Sequence, residues 1–174
     1  MKKLVYSILV LAIALVGLAG CASSKGPSAT VTLTPTSGNT AQGAVTFRQL
    51  KTGQVEVEVN LTGVPSGTHG FHLHEKGDCG DNGNAAGGHF NPSSMAHGAP
   101  DATSHHAGDF GNVTADDSGN VRVTRTVNGI TVTAGPNSVV GHAVILHANA
   151  DDLVTQPSGN AGPRIACGVV LGTP

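Results

Sequence analysis

Tryptophan is absent from this chain, tyrosine occurs once, and aromatic residues make up 3% of the 174 positions. Charge is equally sparse, with 9 Lys and Arg against 11 Asp and Glu and a net charge of −2 when histidines are neutral. So little positive charge leaves no footprint for a nucleic acid, and that class of partner has no support. Long apolar runs are missing too. Only residues 4–18 form an extended apolar stretch, and a membrane-spanning helix needs ~20 such residues with different flanks. Helical periodicity is absent where it would compete with alternation. What the chain does hold is imidazole: 9 histidines, an unusual share for this length.

The N-terminus is read before any fold. Lys2 and Lys3 give a positive start, residues 4–18 an apolar segment, and Leu18-Ala19-Gly20-Cys21 a small-residue cleavage site. This is the pattern of a secretory signal over residues 1–20. A cysteine placed directly after the cut resembles the lipobox of bacterial lipoproteins. The resemblance implies that Cys21 carries a lipid, becomes the mature N-terminus and anchors the protein to a membrane, so the expected location is the cell envelope, facing the periplasm. Residues 21–28, small and polar with Lys25, Gly26 and Pro27, then read as a lipidated flexible tether. Residues 29–174 read as one domain, long enough for one proper core. Of the 3 cysteines, setting Cys21 aside leaves one pair, Cys79 and Cys167, and in an exported protein that pair is expected to be bridged.

Residues 54–61 alternate strictly, with Val55, Val57, Val59 and Leu61 on one face and Gln54, Glu56, Glu58 and Asn60 on the other. Alternation of this kind predicts a half-buried antiparallel strand. Comparable β-branched runs occur at 29–34, 44–50, 68–74, 109–115, 120–127, 142–147 and 164–171. Lys51-Thr52-Gly53 and Asp117-Ser118-Gly119 supply turn signals for hairpins. The expected fold is all-β, a sandwich or barrel of about eight strands. Two connections, 75–108 and 148–163, exceed the roughly 12–15 residues beyond which a structureless loop is functional or disordered. The first contains three histidines, and metal ligation together with Cys79 can order it without a core of its own.

Gly70-Phe71-His72-Leu73-His74 places two histidines one residue apart, so on a strand both rings share a face while Phe71 and Leu73 point into the core. Several imidazoles together suit copper or zinc better than the oxygen-seeking magnesium or calcium. His97, His106 and Asp109 offer two nitrogens and a carboxylate, one ligand short of a tetrahedral zinc set, and His89 lies between the two groups.

These segments resemble the copper-zinc superoxide dismutase family over about residues 31–170. The motifs carrying the resemblance are Gly-Phe-His-Leu-His-Glu at 70–75, Gly-Gly-His-Phe-Asn-Pro at 87–92, His-Gly-Ala-Pro at 97–100 and His-Ala-Gly-Asp at 106–109. Ala-Asp-Asp-Leu at 150–153 and Gly-Asn-Ala-Gly-Pro-Arg-Ile-Ala-Cys-Gly at 159–168 complete the set. The resemblance implies an eight-stranded antiparallel Greek-key barrel, an immunoglobulin-like sandwich, with a long metal-binding loop and a second loop over the active site. It implies copper ligands His72, His74, His89 and His147, and zinc ligands His89, His97, His106 and Asp109, so that His89 bridges the two ions. It further implies that Asp151 holds the outer nitrogens of His72 and His97, and that Arg164 draws in and aligns the substrate anion. The implied reaction is dismutation of superoxide to dioxygen and hydrogen peroxide, with His89 supplying a proton. The family includes monomers and homodimers built on different strand faces, so a homodimer is one assembly open to the chain.

His69, His105 and His142 fall outside the matched ligand positions and read as structural or surface residues; the His-Xaa-Gly-Asp spacing selects His106 over its neighbour His105. The chain departs from the family pattern in residues 148–163, which hold Asp151 and Asp152 and neither lysine nor arginine. Anion steering then rests on the metals, Arg164 and Lys76. A different class of function, a non-catalytic protein of the same fold that binds or buffers copper or zinc, is disfavoured by the complete ligand set.

Overall fold

The computed structural model describes residues 26–172. The expected signal segment over 1–20, the expected anchor at Cys21 and the expected tether as far as residue 25 lie outside the described residues. Among those described, no helix is long and apolar enough to cross a membrane.

Alternating side chains set the elements. β1 (Ser28–Pro35), β2 (Gln42–Gln49) and β3 (Val55–Thr62) each bury every second residue, Val55, Val57, Val59 and Leu61 in β3. β4 (Gly67–His74), β5 (Asp109–Ala115), β6 (Val121–Val127), β7 (Ala143–His147), β8 (Arg164–Val169) and the short β9 (Leu171–Gly172) follow. All strand pairs are antiparallel, in the order β5-β4-β7-β8-β1-β2-β3-β6, with β9 beside β1. The result is an all-β, eight-stranded, nearly closed barrel, as expected. β1 turns its corner, pairing through residues 28–33 with β2 and through Thr34 and Pro35 with β8.

Three details differ from the sequence expectations. The turn at Asp117-Ser118-Gly119 closes locally, Asp116 N donating to Asn120 O at 3.0 Å, but it does not make a hairpin. β5 pairs with β4 and β6 with β3, because each has a buried apolar register to fill on its own side. The seam between β5 and β6 is spanned by a side chain instead: Arg125 donates from Nη1 to Phe110 O and from Nη2 to Asn112 O, the latter at 2.8 Å. The last strand breaks at Val170, whose N–H donates to His142 O at 2.9 Å, and β9 then changes partner to β1. A third long connection, 128–142, buries Ile130, Val132 and Val139 against the core and is pinned by Gln49, whose Oε1 accepts from Thr131 Oγ1 at 2.9 Å and Val132 N at 3.0 Å.

The main apolar cluster includes Phe110, its ring centroid 6.1 Å from that of Phe47 and 6.0 Å from that of Phe71, and Ala86, Ala143, Ile145 and Cys167 form a smaller cluster. Phe110 immediately follows Asp109, so a buried aromatic ring fixes the start of β5. The loop 75–108 is stapled to β8 by the disulfide Cys79–Cys167, as expected, and contains a short 3-10 segment, Asp81–Ala86.

Candidate metal centre

β4 carries Phe71 and Leu73 into the core and His72 and His74 onto the opposite face, where the loops cover them; all four are essentially inaccessible to solvent. β7 lies beside β4, pairing Phe71 with Leu146 and His74 with Ala143, and ends at His147. The loop 75–108 then folds back as an extra rung: Glu75 N donates to Gly88 O at 2.9 Å, Phe90 N to Leu73 O at 2.8 Å and Gly108 N to Phe90 O at 2.9 Å. This rung delivers His89 beside His74. Gly108 is needed there, since a Cβ at that position would overlap Leu73 O.

Hydrogen bonds on the far side of each ring fix which nitrogen faces inward. His74 Nδ1 donates to Gly87 O at 2.9 Å and His147 Nδ1 to Gly162 O at 3.0 Å; carbonyl oxygens only accept, so both Nδ1 atoms carry the proton. The two Nε2 lone pairs therefore confront each other at 3.3 Å. His72 Nε2 donates to Asp151 Oδ2 at 2.8 Å, leaving Nδ1 bare. His72 Nδ1 and His89 Nε2 are buried with no hydrogen-bond partner. Four lone pairs of His72, His74, His89 and His147 thus converge, their ligand atoms all within 4.8 Å of one another. Lone pairs so placed repel unless a cation lies among them, and neutral imidazoles are what copper prefers.

A second nest shares His89. Asp109 Oδ1 lies 2.7 Å from His89 Nδ1, 3.1 Å from His97 Nδ1 and 3.2 Å from His106 Nδ1. His97 Nε2 holds its proton toward Asp151 Oδ1 at 3.0 Å, so its Nδ1 turns a lone pair, not a donor, to the carboxylate. That juxtaposition is unfavourable without a cation. In a tetrahedral zinc site with ligands at about 2.0–2.1 Å, neighbouring ligand atoms stand about 3.3 Å apart, close to the two longer contacts. The donors of both nests therefore fit bound metal.

Electrostatics keep these groups in ligating form. Burial, then the neighbouring His89 and His147, holds His72 well below the ordinary imidazole range. Burial, then His89 and Arg164, does the same for His74. His147 is pushed down to about 4, chiefly by burial, and burial also lowers His106. For Asp109, burial would raise the carboxyl, but the hydrogen bonds from His89 and from the His106 backbone outweigh it and keep the group ionised well below the usual carboxylate range.

Asp151 spans the nests by accepting from His72 and His97 on its two oxygens, and is itself oriented by Leu153 N at 2.7 Å. Two amides that the sequence did not single out complete the support. Asn112 on β5 clamps Asp151, its Oδ1 accepting from Asp151 N at 2.7 Å and its Nδ2 donating to Asp151 O at 2.9 Å. Gln156 does the same for His97. An amide paired with a backbone has no sequence signature, so nothing in the chain pointed to either. Gly159, with φ +67°, is the third omission: a Cβ there would overlap Asp151 Oδ1 and come within 2.8 Å of His97 Nε2.

A cavity of about 630 Å³ opens onto His74, His89 and His147, with Arg164 and Glu75 as its charged walls. Arg164 is held by donating to Gly83 O at 2.5 Å and Gly87 O at 2.6 Å. Lys76 is exposed and does not line the cavity. The three remaining histidines stand outside both nests. His69 lies between His147 O at 2.9 Å and Pro65 O at 2.8 Å, His105 contacts His106 O at 2.8 Å, and His142 contacts Glu75 O at 2.8 Å.

A family model described as Copper/zinc superoxide dismutase (SODC) matches residues 41–170. The chain is 40% identical over 140 residues to a protein of Haemonchus contortus named extracellular superoxide dismutase [Cu-Zn], covering 76% of each chain. Among solved structures it is similar to the clock protein EA4, with a TM-score of 0.77 and 39% identity, covering 85% of this chain and 96% of that one.

Proposed function

The chain belongs to the copper/zinc superoxide dismutase family, and from that premise we propose how its own residues divide the work. The protein is an enzyme that converts two superoxide anions and two protons into dioxygen and hydrogen peroxide, with copper and zinc as cofactors. We assign copper to His72, His74, His89 and His147, and zinc to His89, His97, His106 and Asp109. The observation that carries this assignment is the position of His89, whose Nδ1 is 2.7 Å from Asp109 Oδ1 while its buried Nε2 turns into the other nest.

Copper, when bound, supplies the one-electron redox couple that zinc lacks. The residues of the chain do the rest. Arg164, fixed by two carbonyls at the cavity wall, binds the anion and orients it toward His74, His89 and His147. His89 Nε2, whenever it is not ligating copper, would be the atom that holds a proton and passes it to the departing peroxide. Asp151 keeps the protons of His72 and His97 on their outer nitrogens, which preserves the inward lone pairs. The cavity beside Arg164 is the approach by which the anion reaches His74, His89 and His147.

The relative from Haemonchus contortus is named extracellular, and export of this chain is part of the same reading. Residues 1–20 are its signal peptide, Cys21 its lipid anchor, 21–28 its tether and 29–174 its mature domain, held at a membrane of the cell envelope and facing the periplasm. This is the bacterial lipoprotein form of the enzyme, and assembly as a homodimer belongs to the same proposal, read directly by sedimentation velocity. Mass spectrometry of the membrane fraction tests the anchor: a mature N-terminus at Cys21 with added acyl mass supports it, and an unmodified N-terminus elsewhere removes it. Activity is tested by superoxide consumption of protein loaded with one copper and one zinc, with and without a copper chelator. Full occupancy without turnover would instead leave a metal-buffering protein.

A further inference from the structure

We infer that Gln156 couples zinc occupancy to the placement of the cavity wall. Gln156 sits in the loop 148–163, and its side-chain amide pairs with the backbone of His97 in the other loop: Oε1 accepts from His97 N at 2.8 Å and Nε2 donates to His97 O at 2.8 Å. Nε2 also reaches Val154 O at 3.3 Å, which ties the clamp back into its own loop. The next two residues, Pro157 and Ser158, line the cavity over His74, His89 and His147. One amide thus joins a zinc-nest residue to the wall past which the anion approaches.

The second link between the loops, Asp151 Oδ1 to His97 Nε2 at 3.0 Å, sets the ring, and Gly98 N donates to Asp109 Oδ2 at 3.2 Å inside the zinc nest, but neither ties the His97 backbone to the loop 148–163. The Gln156 clamp makes that tie, since a backbone N–H and C=O held together by one planar amide fix the peptide planes on both sides of the residue. When zinc draws His97 Nδ1 inward, the backbone of His97 is set with it, and Gln156 transmits that position to residues 154–158. Without zinc, the lone pair of His97 Nδ1 and the Asp109 carboxylate, 3.1 Å apart, push the nest open, and the wall loses its anchor by the same route. Gln156 is a positioning residue, acting on substrate approach only through the chain it holds. It lies at the surface, so its replacement leaves the core intact. The inference rests on the reading of His97 as a zinc ligand.

The test compares the wild-type chain with Gln156→Leu, which removes both bonds, and Gln156→Glu, which keeps only the acceptor for His97 N. Each protein is stripped of metal and then loaded with zinc alone, and amide hydrogen exchange is followed in segments 97–106 and 153–158. Zinc is expected to slow exchange in both segments of the wild type. In Gln156→Leu it should slow exchange in 97–106 but not in 153–158, and zinc should bind roughly tenfold more weakly, the scale for losing a partner that orients a ligand. Gln156→Glu should fall between the two. Cobalt(II) absorption at the same site should shift in the order of the variants. Equal zinc-dependent protection of 153–158 in all three proteins, with equal affinities, overturns the coupling. Absence of zinc-dependent protection of 97–106 in the wild type instead overturns the ligand reading of His97, and the coupling with it.

Discussion

His89 carries the unusual demand of this site, because one ring must serve two nests while its neighbours stay neutral and correctly turned. That burden falls on Asp151, which accepts from His72 and His97 and so fixes two tautomers at once. Asp151→Asn replaces one acceptor by an NH₂ group that opposes an N–H, and zinc affinity should fall about 10- to 100-fold. Competition with a chromophoric chelator reads this directly, and unchanged affinity would remove Asp151 from the role given to it. Arg164 poses a separate question of charge against placement. Arg164→Lys keeps the charge but cannot span Gly83 O and Gly87 O, whereas Arg164→Met keeps neither. The methionine variant should lose on the order of tenfold in kcat/KM for superoxide, with the lysine variant between it and the wild type. Metal content measured in parallel should be the same in all three.

The long loop 75–108 has little core of its own and depends on its attachments. The disulfide Cys79–Cys167 closes a separation of 88 residues, and chain entropy alone assigns about 4–5 kcal/mol to a loop of that size. Denaturant midpoints of the metal-free protein, oxidised and reduced, should differ accordingly; coincident midpoints would mean that the bridge only positions the loop. Phe110→Ala tests the other anchor, since this ring packs on Phe47 and Phe71 and directly follows Asp109. A loss of about 3–5 kcal/mol in unfolding free energy is expected. Strands such as β3 were legible because period-two alternation depends only on which face is buried. The residues alone pointed to a metal at His72 and His74 and to an incomplete set at His97, His106 and Asp109; the full ligand set, with His89 shared and His147 added, was legible only through the resemblance of the motifs to the family. The turn at 117–119 showed that the chain reverses but not which strand becomes the neighbour, since pairing of β6 with β3 is decided by distant residues. The connection 128–142 carries no sequence signal of its packing, because its buried Ile130, Val132 and Val139 follow no period sustained through the intervening polar and glycine residues. Asn112 and Gln156 act through main-chain contacts, and any amide could in principle make them.

At the scale of the whole molecule the question is how an anion finds a site on a chain of net charge −2. The cavity walls carry one cation, Arg164, opposed by Glu75. The loop beside them adds Asp152, whose carboxylate is kept below its ordinary range by hydrogen bonds from Thr155 Oγ1 at 2.6 Å, Thr155 N at 2.8 Å and Val154 N at 3.0 Å. An extended positive field is therefore missing, and attraction is confined to short range around Arg164 and the bound metals. Salt screens long-range fields first, since the Debye length falls from about 30 Å at 0.01 M to about 8 Å at 0.15 M. Between those ionic strengths kcat/KM should change by less than about twofold, because the interactions that remain act within a screening length. A steep fall with added salt would reveal an attractive field that these residues do not provide. The converse experiment builds such a field. Val154 is 71% exposed on the same loop, and Val154→Lys adds a cation there while leaving the backbone bond to Asp152 in place. The variant should be faster than the wild type at low salt and should converge with it as salt is added. An unchanged rate at low salt would show that encounter is not limited by the field of this loop.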